Sequence, residues 1–190
     1  MNNLKSFKKV IAINDFQPQK EDVILLDTNI LIKLFTPYNI GKKYNYDKLW
    51  CKLSNGKAKL IVSSVQISEF INRCIRIEFD LYKRVNGDPQ LDYKTEYRST
   101  KDYKEKMNDI LDIISEDICK NFIFVDDCFS KMDAKVIFVQ GFSYDFNDAL
   151  IVELAKQYNA ILVTDDADFA NYDIRNRIVT SNNLLLNMHF

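Results

Sequence analysis

Short apolar runs alternate along the chain with segments in which apolar residues recur at helical spacing. Each run is only four to six residues long, which is typical of strands buried on both faces; the runs lie at 23–27, 59–64, 161–164 and 177–181. Residues 121–127 read as a further short strand or as a helix end. Helical periodicity predicts helices over 28–35, 46–56, 65–84, 107–118, 129–140 and 145–160. This alternation predicts an α/β fold, a three-layer α/β/α sandwich with a mainly parallel central sheet of about four or five strands.

The ends of these elements carry their own signals. Thr28 or Asn29 is expected to cap the first helix, and Asp145 the helix that starts near 145. The stretch VNGDPQ at 85–90 has the composition of a turn. The final NNLLLNMHF is read either as a last core helix or as an apolar contact for a second copy.

Composition restricts the possible classes of protein. The 190 residues suit one domain, and 47% hydrophobic with 28% charged residues is ordinary globular usage. A net charge of −1 provides no overall basic field, so any nucleic acid must be attracted by local patches. Four cysteines without a C-x-x-C pair and a single histidine, His189, argue against a zinc site. The sequence has neither a signal peptide nor an apolar run of about 18 residues, so we expect a cytoplasmic protein with reduced thiols and no membrane segment.

Acidic residues follow the predicted strands at the edge where their carboxyl ends meet. Ligands of open parallel sheets bind at that edge. Asp27 follows the first predicted strand, and Glu69 lies in the first turns of the helix after the second strand. Asp148 lies in the first turn of the helix before the third strand. The stretch LVTDDADF ends the third strand and contains Asp165, Asp166 and Asp168.

Each acid also has a purely structural interpretation. Asp27 could cap a helix, and Asp148 could be a solvent-facing carboxylate favoured by the helix dipole. Glu69 could be an ordinary exposed helix residue, and 165–168 a solvated turn. These interpretations leave unexplained why acids from four distant segments converge. Carboxylates packed together repel and raise one another's pKa, and Mg²⁺ or Mn²⁺ would relieve that repulsion.

Three stretches resemble, in order, the signature blocks of the PIN-domain ribonucleases, a family that includes the toxins of bacterial VapBC-type toxin–antitoxin pairs. The stretches are VILLDTNILIKLF, SSVQISEF and FNDALIVELAKQYNAILVTDDADF. The family's four acids fall on Asp27, Glu69, Asp148 and Asp166. Its closing T-N-D-x-D-F block falls on 164–169, where Asp165 replaces the usual asparagine.

The resemblance implies a Mg²⁺- or Mn²⁺-dependent endoribonuclease and assigns roles to residues of this chain. Its catalytic and metal-binding acids would be Asp27, Glu69, Asp148 and Asp166, with Asp168 as a further metal ligand. The residues expected to orient them are Thr28, Asn29, Thr164 and Asp165. Candidate RNA contacts are Arg73 and Arg76, on the Glu69 side of their helix, and Lys42 and Lys43 in a loop. The two arginines could equally pair with acids of the domain itself.

The resemblance also frames the domain and its partners. We expect one PIN-like domain over 1–190, with an N-terminal extension at 1–21 and an inserted helical region at 85–120. RNA, a small antitoxin and a second copy of the chain are the expected partners. The main alternative is a catalytically weak PIN-like module that binds RNA or protein. Phosphatases of the haloacid-dehalogenase kind require a second acid at position 29, which is Asn, and the paired acid and lysine of phospho-receiver domains are also missing.

Overall fold

The computed structural model describes residues 10–38, 46–56, 58–138, 145–172, 174 and 176–187. Its centre is one sheet with strand order β1-β6-β5-β2-β3-β4, in which every neighbouring pair is parallel. The strands are β1 (Val10–Ala12), β2 (Val23–Leu26), β3 (Lys59–Ser63), β4 (Ile123–Val125), β5 (Ile161–Val163) and β6 (Ile178–Thr180).

Helices cover both faces of this sheet. They are α1 (Thr28–Phe35), α2 (Tyr46–Ser54), α3 (Ser64–Asn86), α4 (Lys101–Ile113), α5 (Cys119–Asn121), α6 (Ala134–Ile137), α7 (Phe146–Gln157) and α8 (Asn183–Leu186). A π-helical turn (Ile114–Ile118) joins α4 to α5, and 3₁₀ helices occupy Tyr97–Ser99, Phe129–Lys131 and Ala167–Asn171. Among these described elements, no helix combines the length and apolarity needed to cross a bilayer.

The apolar core has two parts, one on each face of the sheet. Alternate residues of β2 belong to the two parts of the core. Ile24 and Leu26 lie in the part that includes residues of α1, α2, α3 and α4, whereas Leu25 lies in the part that includes residues of α6 and α7. Both faces of β2 are therefore buried in apolar core, which explains why β2 reads as an unbroken apolar run. The predicted α/β sandwich with helices on both faces is confirmed.

Several details differ from the sequence prediction. The described sheet has six strands, because β4 is a strand and β1 forms an additional edge strand within the segment expected to be an extension. The single helix expected over 129–140 is instead a 3₁₀ helix and the short α6. The first helix is capped by Asp27, not by Thr28 or Asn29. Asp145 caps α7 as predicted, and α3 ends at Gly87, whose positive φ of 65° suits a residue without a Cβ.

The strand order creates a crevice at one edge of the sheet. From β2 the chain proceeds to β3 and β4 on one side, and later returns to place β5 on the other side of β2. The carboxyl ends of β2 and β5 thus flank the point where the winding reverses. Ligands of open α/β sheets bind at such a reversal.

Candidate active site

Asp27 lies at the centre of this crevice. Its backbone N–H donates to the carbonyl of Val163 at 2.9 Å, which ties the ends of β2 and β5 together. The side chain is 2% exposed and accepts a hydrogen bond from the Thr164 hydroxyl at 2.8 Å. It also accepts weaker bonds from the backbone N–H and the amide of Asn29, both at 3.4 Å. Asp27 therefore caps α1 and presents its carboxylate at the crevice.

Thr164 also positions the acid that follows β5. Its hydroxyl oxygen accepts the backbone N–H of Asp166 at 3.0 Å while the hydroxyl donates to Asp27. Asp166 caps the 3₁₀ helix by accepting the N–H of Asp168 at 2.9 Å. One buried hydroxyl thus spans two of the predicted acids. Asp168 is itself exposed.

Glu69 reaches the same edge from the second turn of α3. The Thr28 hydroxyl donates to its Oε2 at 2.9 Å, so the residue beside Asp27 holds Glu69 in place. Arg73 donates to Oε1 at 3.3 Å from one turn further along the helix. The start of α3 is fixed by buried Gln66, which accepts the N–H of Ser63 at 3.1 Å and donates to the carbonyl of Leu26 at the end of β2.

Asp148 reaches the edge from the first turn of α7. Asp145 starts this helix by accepting the N–H of Asn147 at 2.8 Å, and Tyr172 donates to the Asp145 carbonyl at 3.1 Å. These contacts set the direction in which α7 leaves the crevice. Asp148 is partly buried.

Burial and neighbouring charges raise the pKa values of two of these acids. Burial raises the pKa of Asp27 from its ordinary 3.8 to about 7, and the charges of Glu69 and Asp166 add to the rise against the lowering hydrogen bonds of Thr164 and Asn29. Burial likewise raises the pKa of Asp148 to about 8, with further contributions from Asp27, Asp145, Asp166 and Glu69. Asp27, Glu69, Asp148 and Asp166 thus all approach the carboxyl edge of the sheet, and their role as catalytic and metal-binding residues stays a prediction.

The donor set suits a hard divalent cation. It consists of carboxylates from four elements, and carboxylate oxygens are the ligands that Mg²⁺ and Mn²⁺ prefer. The acids surround the crevice without closing it: across the described parts of the chain, no three Asp, Glu, His or Cys side chains already form a ligand set for one ion. An ion would therefore have to draw the carboxylates inward.

The other predicted residues have varied positions. Asp165 forms an ion pair with Lys33 in a mostly buried setting, so its added charge is compensated within the fold. Arg76 stacks on the ring of Tyr93 at 3.8 Å from its centroid, and Arg73 is engaged with Glu69. Lys42 and Lys43 lie outside the described residues.

Two residues that support the site, Gln66 and Lys33, were not predicted from the sequence. Gln66 stands three residues after Ser63, the spacing of a capping box, so a signal for its role at the start of α3 was present. Lys33 had no such signal, because its partner Asp165 is 132 residues away along the chain.

Comparison with known proteins identifies one family model and several solved structures. The model described as PIN domain matches residues 24–175. The crystal structure of VapBC2 from Rickettsia felis, bound to a DNA fragment from its promoter, contains a chain with 20% identity and a TM-score of 0.44, covering 83% of this chain and 98% of that one. For FitAcB from Neisseria gonorrhoeae the identity is 15% and the TM-score 0.45, with 83% and 96% covered. Neither similarity is strong enough to bear on activity, and no curated protein matches.

Proposed function

Because this chain belongs to the PIN-domain family, we propose that it is a divalent-metal-dependent nuclease that hydrolyses RNA phosphodiester bonds. PIN domains are generally nucleases, and PIN nucleases generally depend on a divalent metal. The observation that carries the proposal is that the Thr164 hydroxyl links Asp27 to Asp166 while the neighbouring Thr28 hydroxyl holds Glu69, so that carboxylates from separate elements meet at one edge of the sheet. Burial and nearby acids raise the pKa of Asp27 to about 7 and that of Asp148 to about 8. A cluster of this kind is costly to fold, and a bound cation offsets that cost.

Three acids would hold the metal directly, namely Asp27, Asp148 and Asp166. Glu69 would complete the ring, through a second ion or through water, and Asp168 is a further candidate ligand. When bound, the metal supplies Lewis acidity that activates water and stabilises the leaving oxygen. The oxygens of the scissile phosphate would enter on the open side of the crevice.

The surrounding residues would fix the geometry of these acids. Thr164 holds Asp27 and Asp166 at a set separation, and Thr28 directs Glu69 toward Asp27. Asn29 adds two weaker hydrogen bonds to Asp27, and Asp165, tied to Lys33, anchors the turn that carries Asp166. Residues that orient ligands in this way generally affect metal affinity.

Cleavage of labelled RNA in Mg²⁺ or Mn²⁺ tests the proposal. The wild-type protein should cleave, EDTA should stop it, and Asp27→Asn should be inactive. The matched control is Asp22→Asn, because Asp22 is a buried acid at the opposite end of β2 that pairs with Arg177. Activity retained in EDTA or in Asp27→Asn would refute the assigned site, whereas loss of activity in Asp22→Asn alone would indicate a folding defect.

One observation favours the alternative, a catalytically weak PIN-like module that binds RNA or protein: no preformed ligand set exists among the described side chains. Calorimetric titration with Mn²⁺ separates the two. A nuclease should bind Mn²⁺ in wild type and lose binding in Asp148→Asn, whereas a module without catalysis should bind it poorly in both.

The expected biological partners rest on the sequence resemblance. We propose a small antitoxin that places a basic side chain among the four acids, and a second copy of the chain as a dimer partner. Co-expression with the product of a neighbouring short reading frame tests the first: a true antitoxin should abolish cleavage and bind Asp27→Asn more weakly than wild type. A cytoplasmic location remains a prediction.

A further inference from the structure

Three phenylalanines are exposed beside the candidate active site. Phe129, Phe138 and Phe146 are between 44% and 57% exposed, and together they form what we name the aromatic platform. The rings of Phe138 and Phe146 stack at 5.7 Å with an interplanar angle of 13°, and Phe129 meets Phe146 edge-on at 6.4 Å. Leaving so much aromatic surface in water forgoes the gain from burying it, so an occupant is expected.

The platform lies at the N-terminal end of α7, the helix that carries Asp148. Phe146 is the first residue of α7, two positions before Asp148. The next residue, Asn147, lines a cleft of about 380 Å³ together with Glu69 and polar residues of α3, including Ser68 and Asn72. This neutral polar lining, between a catalytic candidate and the platform, suits hydrogen bonding to sugars and base edges.

Cations accompany the rings. Lys131 and Lys135 are exposed on the segment that joins Phe129 to Phe138, and neither forms an ion pair with a described residue. Two carboxylates of that region are used by the fold. Asp127 accepts hydrogen bonds from Ser64 and from the N–H of Val65, and Asp133 caps α6. The two lysines are therefore available to phosphates.

We propose that the aromatic platform, with Lys131 and Lys135, binds unpaired bases of single-stranded RNA next to the scissile phosphate. This inference rests on the proposed nuclease function and specifies its substrate. Unpaired bases expose their ring faces to aromatic side chains, whereas a duplex hides them, so the platform selects against paired RNA. The cleft then leads the backbone from the platform toward Glu69 and Asp148.

Fluorescence anisotropy with a labelled 12-nucleotide single-stranded RNA tests this in an Asp27→Asn background, with the RNA checked on a gel afterwards. Phe138→Ala and Phe129→Ala should each weaken binding by about 5-fold or more, and Phe138→Trp should bind at least as tightly as the parent. The matched control is Phe124→Ala. Phe124 is 53% exposed, but strand alternation puts it on the sheet face opposite Val125, and Val125 packs against the core cluster that includes Ile137 of α6 and residues of α7.

Salt dependence tests the lysines separately. The binding constant K falls as the salt concentration rises, so a plot of log K against log salt has a negative slope. Changing Lys131 and Lys135 to Gln should make this slope shallower by about 1.4, since each phosphate contact on a single strand contributes about 0.7. A hairpin RNA of the same length should bind more weakly than the single strand and be indifferent to Phe138→Ala.

Other results would overturn the inference. Equal losses in Phe124→Ala and Phe138→Ala, or equal binding of hairpin and single strand, would refute a stacking platform. So would single-stranded DNA that binds better than RNA, or a platform variant that changes only the self-association measured by light scattering. Cleavage by the wild-type protein is measured in a separate assay. If wild type cleaves RNA but the platform variants bind RNA as tightly as the parent, only the platform inference is refuted. If the platform binds RNA but no metal-dependent cleavage occurs, the proposed nuclease function is refuted.

Discussion

Replacing Asp27 with Asn should stabilise the metal-free protein at alkaline pH. The carboxyl group has an ordinary pKa of 3.8 when the chain is unfolded and about 7 in the folded state. Each pKa unit corresponds to about 1.4 kcal/mol, so at pH 8 the buried charge lowers the free energy of unfolding by about 4 kcal/mol. Asparagine carries no such charge.

The sign of the pH dependence follows from proton binding. Between about pH 4 and pH 8 the folded protein holds the Asp27 proton more tightly than the unfolded chain does, so the wild-type stability should fall as the pH rises. From pH 5 to pH 8 this amounts to about 3 kcal/mol. The Asn variant should lack this part of the slope.

Hydrogen bonding opposes part of the gain. Both carboxyl oxygens of Asp27 accept hydrogen bonds, whereas asparagine offers a single oxygen, so the loss of one acceptor should cost about 1–2 kcal/mol. The variant should therefore be more stable than wild type by about 2 kcal/mol at pH 8, which raises the melting temperature by about 4–8 °C, and nearly equal to it at pH 5.

Thermal and urea unfolding in EDTA at pH 5, 6.5 and 8 measure these differences. Asp22→Asn is the control, since it breaks the ion pair between buried Asp22 and exposed Arg177 and should lower the stability to a similar extent at all three pH values, which leaves the wild-type slope unchanged. A lower stability of Asp27→Asn than of wild type at pH 8, or a difference between them that does not change with pH, would show that Asp27 is not a buried acid with a raised pKa.

Adding metal should reverse the order of stability. At a free Mn²⁺ concentration 100 times the dissociation constant, wild type should gain about 2.7 kcal/mol, whereas Asp27→Asn should gain little. An equal gain in both proteins would mean that the ion binds away from Asp27.

Three further perturbations probe the site and its supports. Gln66→Met leaves two buried backbone groups without the partners that Gln66 provides, and it should lower the free energy of unfolding by about 2–4 kcal/mol. Urea titration measures this loss, and a loss below about 1 kcal/mol would contradict the bridging role of Gln66. Lys33→Met leaves the charge of Asp165 without its ion-pair partner and should lower the free energy of unfolding by about 3 kcal/mol. The double variant with Asp165→Asn should recover most of this stability, and a loss that is not recovered would show that Lys33 acts through other contacts. Cleavage rates at fixed, subsaturating Mn²⁺ should rise from pH 6 to pH 8.5, because Asp27 and Asp148 bind a cation only when ionised, and a flat profile would argue against both as ligands.

Much of the candidate site could be predicted from the chain. Buried parallel strands appear as apolar runs, so the position of a carboxylate just after such a run already assigns it to the carboxyl edge of the sheet. Asp27 and Asp166 follow two such runs, and Asp148 opens a helix whose cap at Asp145 was recognisable. The roles of these acids in catalysis remain predictions that the variants above test.

Short-range signals were weaker where competing local structures have similar energies. The segment 129–140 has helical spacing, yet its described part folds as a 3₁₀ turn and a single helical turn, because too few of its residues pack against the core to sustain a longer helix. The cap of α1 was misassigned between adjacent residues for the same reason: Asp27, Thr28 and Asn29 are all good caps, and only packing chooses.

The sequence alone determined most of the strands and helices, with β1 and the segment 129–140 as exceptions, and therefore which edge of the sheet carries the acids, since hydrophobic periodicity is a local property of the chain. Only the tertiary structure decided that β5 lies beside β2, that one threonine spans Asp27 and Asp166, and that Lys33 compensates Asp165. Such pairings depend on distance and burial in the folded state, and two residues more than a hundred positions apart carry no local trace of them.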